Sequence, residues 1–309
     1  MRRVLSLAGG GIRGILPACA LAALEKQTGK LTREVFDFVG GTSTGAALTA
    51  AIVAGVPAQV SLDTYLQRGW EIFSPTIDIL RKANLLADGC QFDNRVLYGV
   101  LYEALKSAGA ERWTMNDSPI PLLITGCDVF GDTLYFVRNS GTNSGQFGHY
   151  LLLDAATASA CATTYHDPWT IPGLGPVADG GCGGVADPVY QVCREAFSGY
   201  RCFGSIDPKD AKVISLGTGY YRPATLPDAP NTLLDRIAWV TSALVGSSKT
   251  IAADSVECHW PGVLTVLNPQ ISSDIDEADV DSIPELLKVG QAAAAKIDWK
   301  TLLGVGAAS

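Results

Sequence analysis

Short apolar runs alternate along this chain with longer stretches whose apolar side chains recur at helical spacing. Val4-Leu5-Ser6-Leu7-Ala8 reads as a buried strand, and Ile15–Leu24 after it as a helix. The same order returns at Val35–Val39, a strand, and Ala46–Ala54, a helix. Gln59–Trp70 and Arg95–Ser107 predict helices, the second capped by Asn94. Pro121–Asp128 and Thr133–Arg138 flank Phe130-Gly131-Asp132 and predict an antiparallel hairpin. Leu151–Cys161 predicts a helix in which Asp154 and Ser159 serve structure. Beyond Gly219, Thr232–Val245 and Ile283–Ile297 look helical and Val263–Leu267 looks like a strand, with proline-rich Tyr221–Asn231 as a linker. Phe73–Asn94 has no clean period and reads as a packed surface loop, with a flap as the alternative.

Two glycine-framed turns interrupt this alternation, each between a strand and a helix. Gly41-Thr42-Ser43-Thr44-Gly45 fits G-x-S-x-G, in which a serine on a tight strand–turn–helix bend is held exposed. Gly41 and Gly45 relieve steric crowding at its shoulders, and the amide of Thr44 is a donor for a developing oxyanion. Gly9-Gly10-Gly11-Ile12-Arg13-Gly14 places backbone N–H groups at a helix N-terminus, where negative charge is favoured. Arg13 is expected to add a fixed positive charge there. Gly9, Gly11 and Gly14 also match the dinucleotide pattern G-x-G-x-x-G, with Glu34 about twenty residues on. A dinucleotide fold wants that acid at the end of the second strand, and here a serine elbow follows that strand instead.

A serine nucleophile needs a neighbour to take its proton. His149, His166 and His259 lack a recognisable catalytic neighbourhood. Asp179 is the stronger candidate, because Val177-Ala178-Asp179-Gly180-Gly181 ends an apolar run in a carboxylate followed by glycines. Burial can raise such a carboxylate's pKa far enough for it to act as base. The plain alternative is that Asp179-Gly180 forms an ordinary turn.

Gly-Gly-Gly-Ile-Arg-Gly, Gly-Thr-Ser-Thr-Gly and Asp-Gly-Gly, in this order, resemble the patatin-like phospholipase family. Val213-Ile214-Ser215-Leu216-Gly217-Thr218-Gly219 resembles the strand and turn that follow the family's dyad aspartate. The resemblance spans residues 1–220 and leaves 221–309 as a helical extension packed on the same domain. It implies an α/β fold, three-layer α/β/α with a mostly parallel sheet. It implies a Ser43–Asp179 dyad, an oxyanion hole from Gly9, Gly10 and Gly11 helped by Arg13 and Thr44, and Gly14, Gly41, Gly45, Gly180 and Gly181 as structural glycines. The implied activity is hydrolysis of acyl esters of phospholipids or related lipids, with neither metal nor organic cofactor. An acyltransferase sharing the acyl-enzyme and a non-catalytic lipid-binding module are the alternatives. Ala8 stands where family members often have Asp, and Asp187-Pro188 where many have Asn-Pro.

Composition narrows the partners. Of 309 residues, 47% are hydrophobic and 17% charged, which describes a globular protein with a large core. A formal charge of −8 argues against nucleic acid and against docking on anionic lipid through a broad basic field, leaving transient contact with a membrane surface. Arg13 and the glycines interrupt the apolar stretch after Met1-Arg2-Arg3, so no signal-peptide core is read and a cytoplasmic chain is expected. Eight cysteines without a C-x-x-C pair argue against a zinc or redox motif. Trp169 and Ile171 are candidate acyl contacts, with core packing as the alternative. The acidic run Asp274–Asp281 reads as solvated surface.

Overall fold

The apolar run at the start of the chain forms β1 (Arg2–Leu7), with Val4, Leu5, Ser6 and Leu7 all fully buried. Continuous burial of this kind belongs to a parallel strand covered on both faces. The computed structural model describes residues 1–73, 92–138, 147–163, 165–198, 205–222, 233–273 and 275–304. Seven further strands complete the described sheet: β2 (Phe38–Gly41), β3 (Leu122–Asp128), β4 (Thr133–Val137), β5 (Trp169–Ile171), β6 (Gly175–Asp179), β7 (Ala211–Leu216) and β8 (Leu264–Leu267). Their order is β5-β6-β3-β2-β1-β7-β8, with β4 also paired to β3. From β8 through β7, β1 and β2 to β3 every pairing is parallel; β4, β5 and β6 make antiparallel pairs.

Helices cover both faces of this mixed sheet, as the alternation of side chains along the strands requires. On one face Leu5, Leu7, Val39 and Ile214 pack under α1 (Ile15–Thr28) and α4 (Ala58–Ile72). On the other, Val4, Phe38 and Val213 pack under α7 (Val189–Ser198) and α8 (Leu233–His259). The short turn α2 (Thr32–Val35) precedes β2, and α3 (Thr44–Ala54) follows it. Between α4 and β3 lies α5 (Asn94–Ser107), and α6 (Leu152–Ser159) packs beside α5 and α3. After β8 come α9 (Ile283–Ala294), which packs along α1, and α10 (Trp299–Leu303).

Several elements depart from the sequence reading. Strand β2 begins at Phe38, because Thr32–Val35 winds into a turn whose Glu34 carboxylate accepts the Leu31 N–H at 2.7 Å. Glu34 is thereby committed to capping rather than to a ribose. The cap of α5 is Asp93, whose carboxylate accepts the Arg95 N–H at 2.9 Å. Helix α8 runs 27 residues without a break at Gly246, past the expected end at Val245. Ala252 and Val256 beyond that glycine are buried in the core, and their packing outweighs its weak helix propensity. Most of Phe73–Asn94, with its possible flap, and most of the Tyr221–Asn231 linker lie outside the described residues.

One detail of register positions the site. Strand β4 occupies one edge of β3, pairing Leu123 through Cys127. The other edge is shared: β2 pairs there up to Gly41↔Ile124, and β6 arrives from the opposite direction with Gly126↔Asp179. The C-terminal ends of β2 and β6 therefore meet head to head against β3. Residues two places beyond Gly41 converge on Asp179.

Candidate active site

Ser43 stands at that junction, at the N-terminus of α3. Its φ of 58° and ψ of −127° make it the one non-glycine residue with positive φ among the described residues. Such a conformation costs of order 1–3 kcal/mol and persists only where its surroundings enforce it. Here the enforcement is steric. A Cβ at Gly41 would collide with the Gly45 carbonyl, and one at Gly45 with the Leu7 carbonyl, so the turn closes tightly against β1. Ser43 N–H donates to the Ser159 hydroxyl at 2.9 Å, and Thr42 Oγ1 and Thr125 Oγ1 share a hydrogen bond of 2.7 Å that ties the elbow to β3. Tyr65 on α4 hydrogen-bonds the Thr44 hydroxyl.

Asp179 is buried and lies within hydrogen-bonding reach of the Ser43 side chain. Its Oδ1 accepts the Gly181 N–H at 2.7 Å, and Gly180 has no room for a Cβ against Thr125. Burial pushes its pKa from 3.8 up to about 7. Ser43 and the Gly181 amide pull it down, the nearby Glu277 charge adds to the rise, and Lys249 subtracts from it. A carboxyl titrating there is matched to proton transfer at neutral pH.

The first glycine turn meets Ser43 from β1. Gly9 does not supply a donor, contrary to the expectation, because its N–H is already given to the Ala186 carbonyl at 2.8 Å. The N–H groups of Gly10, Gly11 and Thr44 have no partner among the described residues. Gly11 adopts φ +54° in tight contact with Glu277, leaving no space for a side chain. The fixed positive charge expected of Arg13 is present at the turn but paired. Its guanidinium pairs with Glu277 Oε1 at 2.7 Å, and it does not line the cleft beside Ser43. Glu277 also accepts the Ile12 N–H at 2.8 Å through its backbone carbonyl, and Asp276 accepts the Tyr165 hydroxyl at 2.9 Å. Part of the acidic run thus latches onto the glycine turn instead of facing water.

Two more residues hold the glycine turn. Lys249, from the middle of α8, donates to the Gly9 carbonyl at 3.1 Å, and Thr218 donates to the same oxygen at 2.7 Å. Thr218 sits in the Gly-Thr-Gly turn that the sequence singled out; a lysine inside a helix carries no such signal. Ser159, expected to be structural, does its structural work on the nucleophile's own amide.

A cleft opens beside Ser43. Its wall is largely apolar, built from Ala47 and Leu48 of α3, Ile72 of α4, and Leu97, Val100 and Leu101 of α5. Trp169 and Ile171 do not line it. Trp169 stacks on Tyr98 with ring centroids 4.8 Å apart and donates to Asp154, while Ile171 is core. His166 does reach the cleft, but its ring nitrogens have no hydrogen-bond partner among the described residues, and burial pushes its pKa down to about 4. It is not joined to Ser43. His149 is exposed, and His259 bonds the Ser255 carbonyl in its own helix. No group of His, Cys, Asp and Glu among the described residues is arranged to hold a metal ion.

The profile of the patatin-like phospholipase family matches residues 5–189. The chain is 29% identical over 248 residues to Patatin-17 of Solanum cardiophyllum, covering 71% of this chain and 61% of that protein. It is 29% identical over 232 residues to the cGAMP-activated phospholipase of Vibrio cholerae, covering 70% and 64% respectively. The chain thus spans less than two thirds of either relative's length. Among solved structures, VipD from Legionella pneumophila aligns over 98% of this chain and 66% of its own at 12% identity and a TM-score of 0.46. The type III effector ExoU aligns over 98% and 52% at 14% identity and a TM-score of 0.40.

Proposed function

From the premise that the chain belongs to the patatin-like phospholipase family, we propose that it hydrolyses fatty-acyl esters of phospholipids or related lipids through Ser43 and Asp179. The observation that carries this reading is the head-to-head meeting of β2 and β6. It places a buried carboxyl with a pKa of about 7 beside a serine on a strained elbow. The apolar cleft next to Ser43 suits an acyl chain, and the amides of Gly10, Gly11 and Thr44, without a partner among the described residues, suit an oxyanion.

The reaction follows from the groups present. Ionised Asp179 takes the Ser43 hydroxyl proton as Oγ bonds to the ester carbonyl carbon. The carbonyl electron pair moves onto oxygen, which the amides receive. Collapse of this intermediate breaks the bond to the alcohol, which leaves with the proton held by Asp179. Water then attacks the acyl-serine, gives its proton to Asp179, and the fatty acid departs as Ser43 is reprotonated. No helix among the described residues is long and apolar enough to cross a membrane.

The test is turnover of p-nitrophenyl acyl esters and mixed phospholipid vesicles by wild type, Ser43→Ala and Asp179→Asn, with covalent labelling by a fluorophosphonate. Hydrolysis lost in both variants, and labelling lost in Ser43→Ala, supports the reading. A folded wild type that binds vesicles but neither turns over nor labels makes it a lipid-binding module. Preferential acyl transfer to added alcohols makes it a transferase.

A further inference from the structure

The peptide joining Gly9 to Gly10 is gripped from one side. Its carbonyl oxygen accepts both the Thr218 hydroxyl at 2.7 Å and the Lys249 ammonium at 3.1 Å, and these two donors lie 3.4 Å from each other. Thr218 follows β7, which borders β1 on the edge opposite β2. In a trans peptide the N–H points opposite to the C=O, and no cis bond occurs among the described residues. The Gly10 N–H therefore points away from β7, toward the β2 side where Ser43 stands. A Cβ built on Gly9 would lie 3.0 Å from the Ser43 Cβ, so this peptide abuts the nucleophile.

From this geometry we infer that Thr218 and Lys249 are positioning residues that aim and polarise the Gly10 N–H for the oxyanion formed at Ser43. The inference rests on the acyl-hydrolase reading above. Anchoring alone does not require a lysine, since the turn is also fixed by Gly9 N–H on Ala186 and Ile12 N–H on Glu277. Burying an ammonium is costly. On a carbonyl oxygen it draws electron density through the peptide and strengthens the N–H at its other end as a donor. The charges facing Lys249 are Arg13 and Glu277 from the glycine turn and the tail, and Asp179 and Asp187 from the ends of β6 and its following loop. Lys249 also lowers the pKa of Asp179, so its two effects must be separated.

The experiment measures kcat, KM and the pH profile on a soluble p-nitrophenyl ester for wild type, Thr218→Val, Thr218→Ser, Lys249→Met and the double variant Thr218→Val/Lys249→Met. Melting curves check that each is folded. Thr218→Val, isosteric but without the hydroxyl, is expected to lower kcat about tenfold with KM little changed, part of the effect of losing an oxyanion donor outright. Thr218→Ser restores most of that rate. Lys249→Met lowers the plateau kcat by about ten- to a hundredfold and moves the acid limb to higher pH, whereas Thr218→Val leaves the limb in place. The double variant falls short of the product of the singles, because both act through one peptide. Folded variants with wild-type kcat, or with losses confined to KM, overturn the inference while leaving the hydrolase reading intact. A wild type without turnover or Ser43 labelling overturns both.

Discussion

On the proposed mechanism, Asp179 gives the site its pH dependence. As base it must be ionised, so kcat/KM is expected to rise with pH through a limb near the value of about 7 set by its burial. Asp179→Asn removes that limb and about 10²–10⁴ of the rate. The same burial has a consequence for stability. A carboxyl whose folded pKa lies above its unfolded one favours the fold below pH 4, and that contribution fades as pH rises toward 7. Asp179→Asn should therefore raise the melting temperature at pH 8 while lowering turnover by that factor. His166 acts in the opposite sense: its depressed pKa removes stability as pH falls from 6.5 toward 4. Ser43 stores strain, so Ser43→Gly, free to adopt φ 58°, is expected to stabilise the fold by roughly 1 kcal/mol with complete loss of labelling. A lower melting point in Ser43→Gly would contradict that reading of the elbow.

The two residues of the proposed dyad stand out in the sequence because each sits in a short motif with a local mechanical reason: a serine between glycines, and a carboxylate at a strand end before glycines. Gly9 was misread because its amide looks identical to its neighbours' in sequence, and only the fold reveals Ala186 as its acceptor. Arg13 lies more than two hundred residues before Lys249 and Glu277, and no local pattern announces their meeting.

Among the elements, the latch between the glycine turn and the tail is the most consequential. Glu277 raises the pKa of Asp179 and neutralises Arg13. Glu277→Gln is expected to move the acid limb of kcat/KM to lower pH, the reverse of Lys249→Met, and a pH profile of both variants checks the sign. A limb that moves the same way in both would rule out through-space control by this charge cluster. The elbow itself tolerates little: Gly45→Ala drives a Cβ into the Leu7 carbonyl and should cost about 2 kcal/mol or more, read as a fall in melting temperature. The strand–helix alternation around these elements was readable from periodicity. The helical span of α8 was not, since Gly246-Ser247-Ser248 resembles a stop and only the buried Ala252 and Val256 carry the helix through.

At the scale of the molecule, the segment after Tyr221 is part of the core. Leu286, Trp299 and Leu303 are buried in one cluster with Leu5, Leu7 and Ile15, and β8 extends the sheet beyond β7. A chain cut after residue 222 is expected to lose cooperative folding, and the full chain to melt in one transition by calorimetry. Trp299→Ala, at a fully buried site, should cost about 3–5 kcal/mol. The family resemblance pointed to the first two thirds of the chain; the weaker patterns of the tail hid how much of the centre depends on it.

That dependence has a consequence in time. Ser43 and Asp179 leave the ribosome long before Lys249 and Glu277. Until α8 and the segment behind it arrive, the Gly9 carbonyl lacks its ammonium and the Ile12 amide its acceptor. A half-made chain holds a serine and an acid but no finished cradle for the charge they would create. On the proposed mechanism, hydrolysis of lipid esters would begin only once that tail has been made and packed.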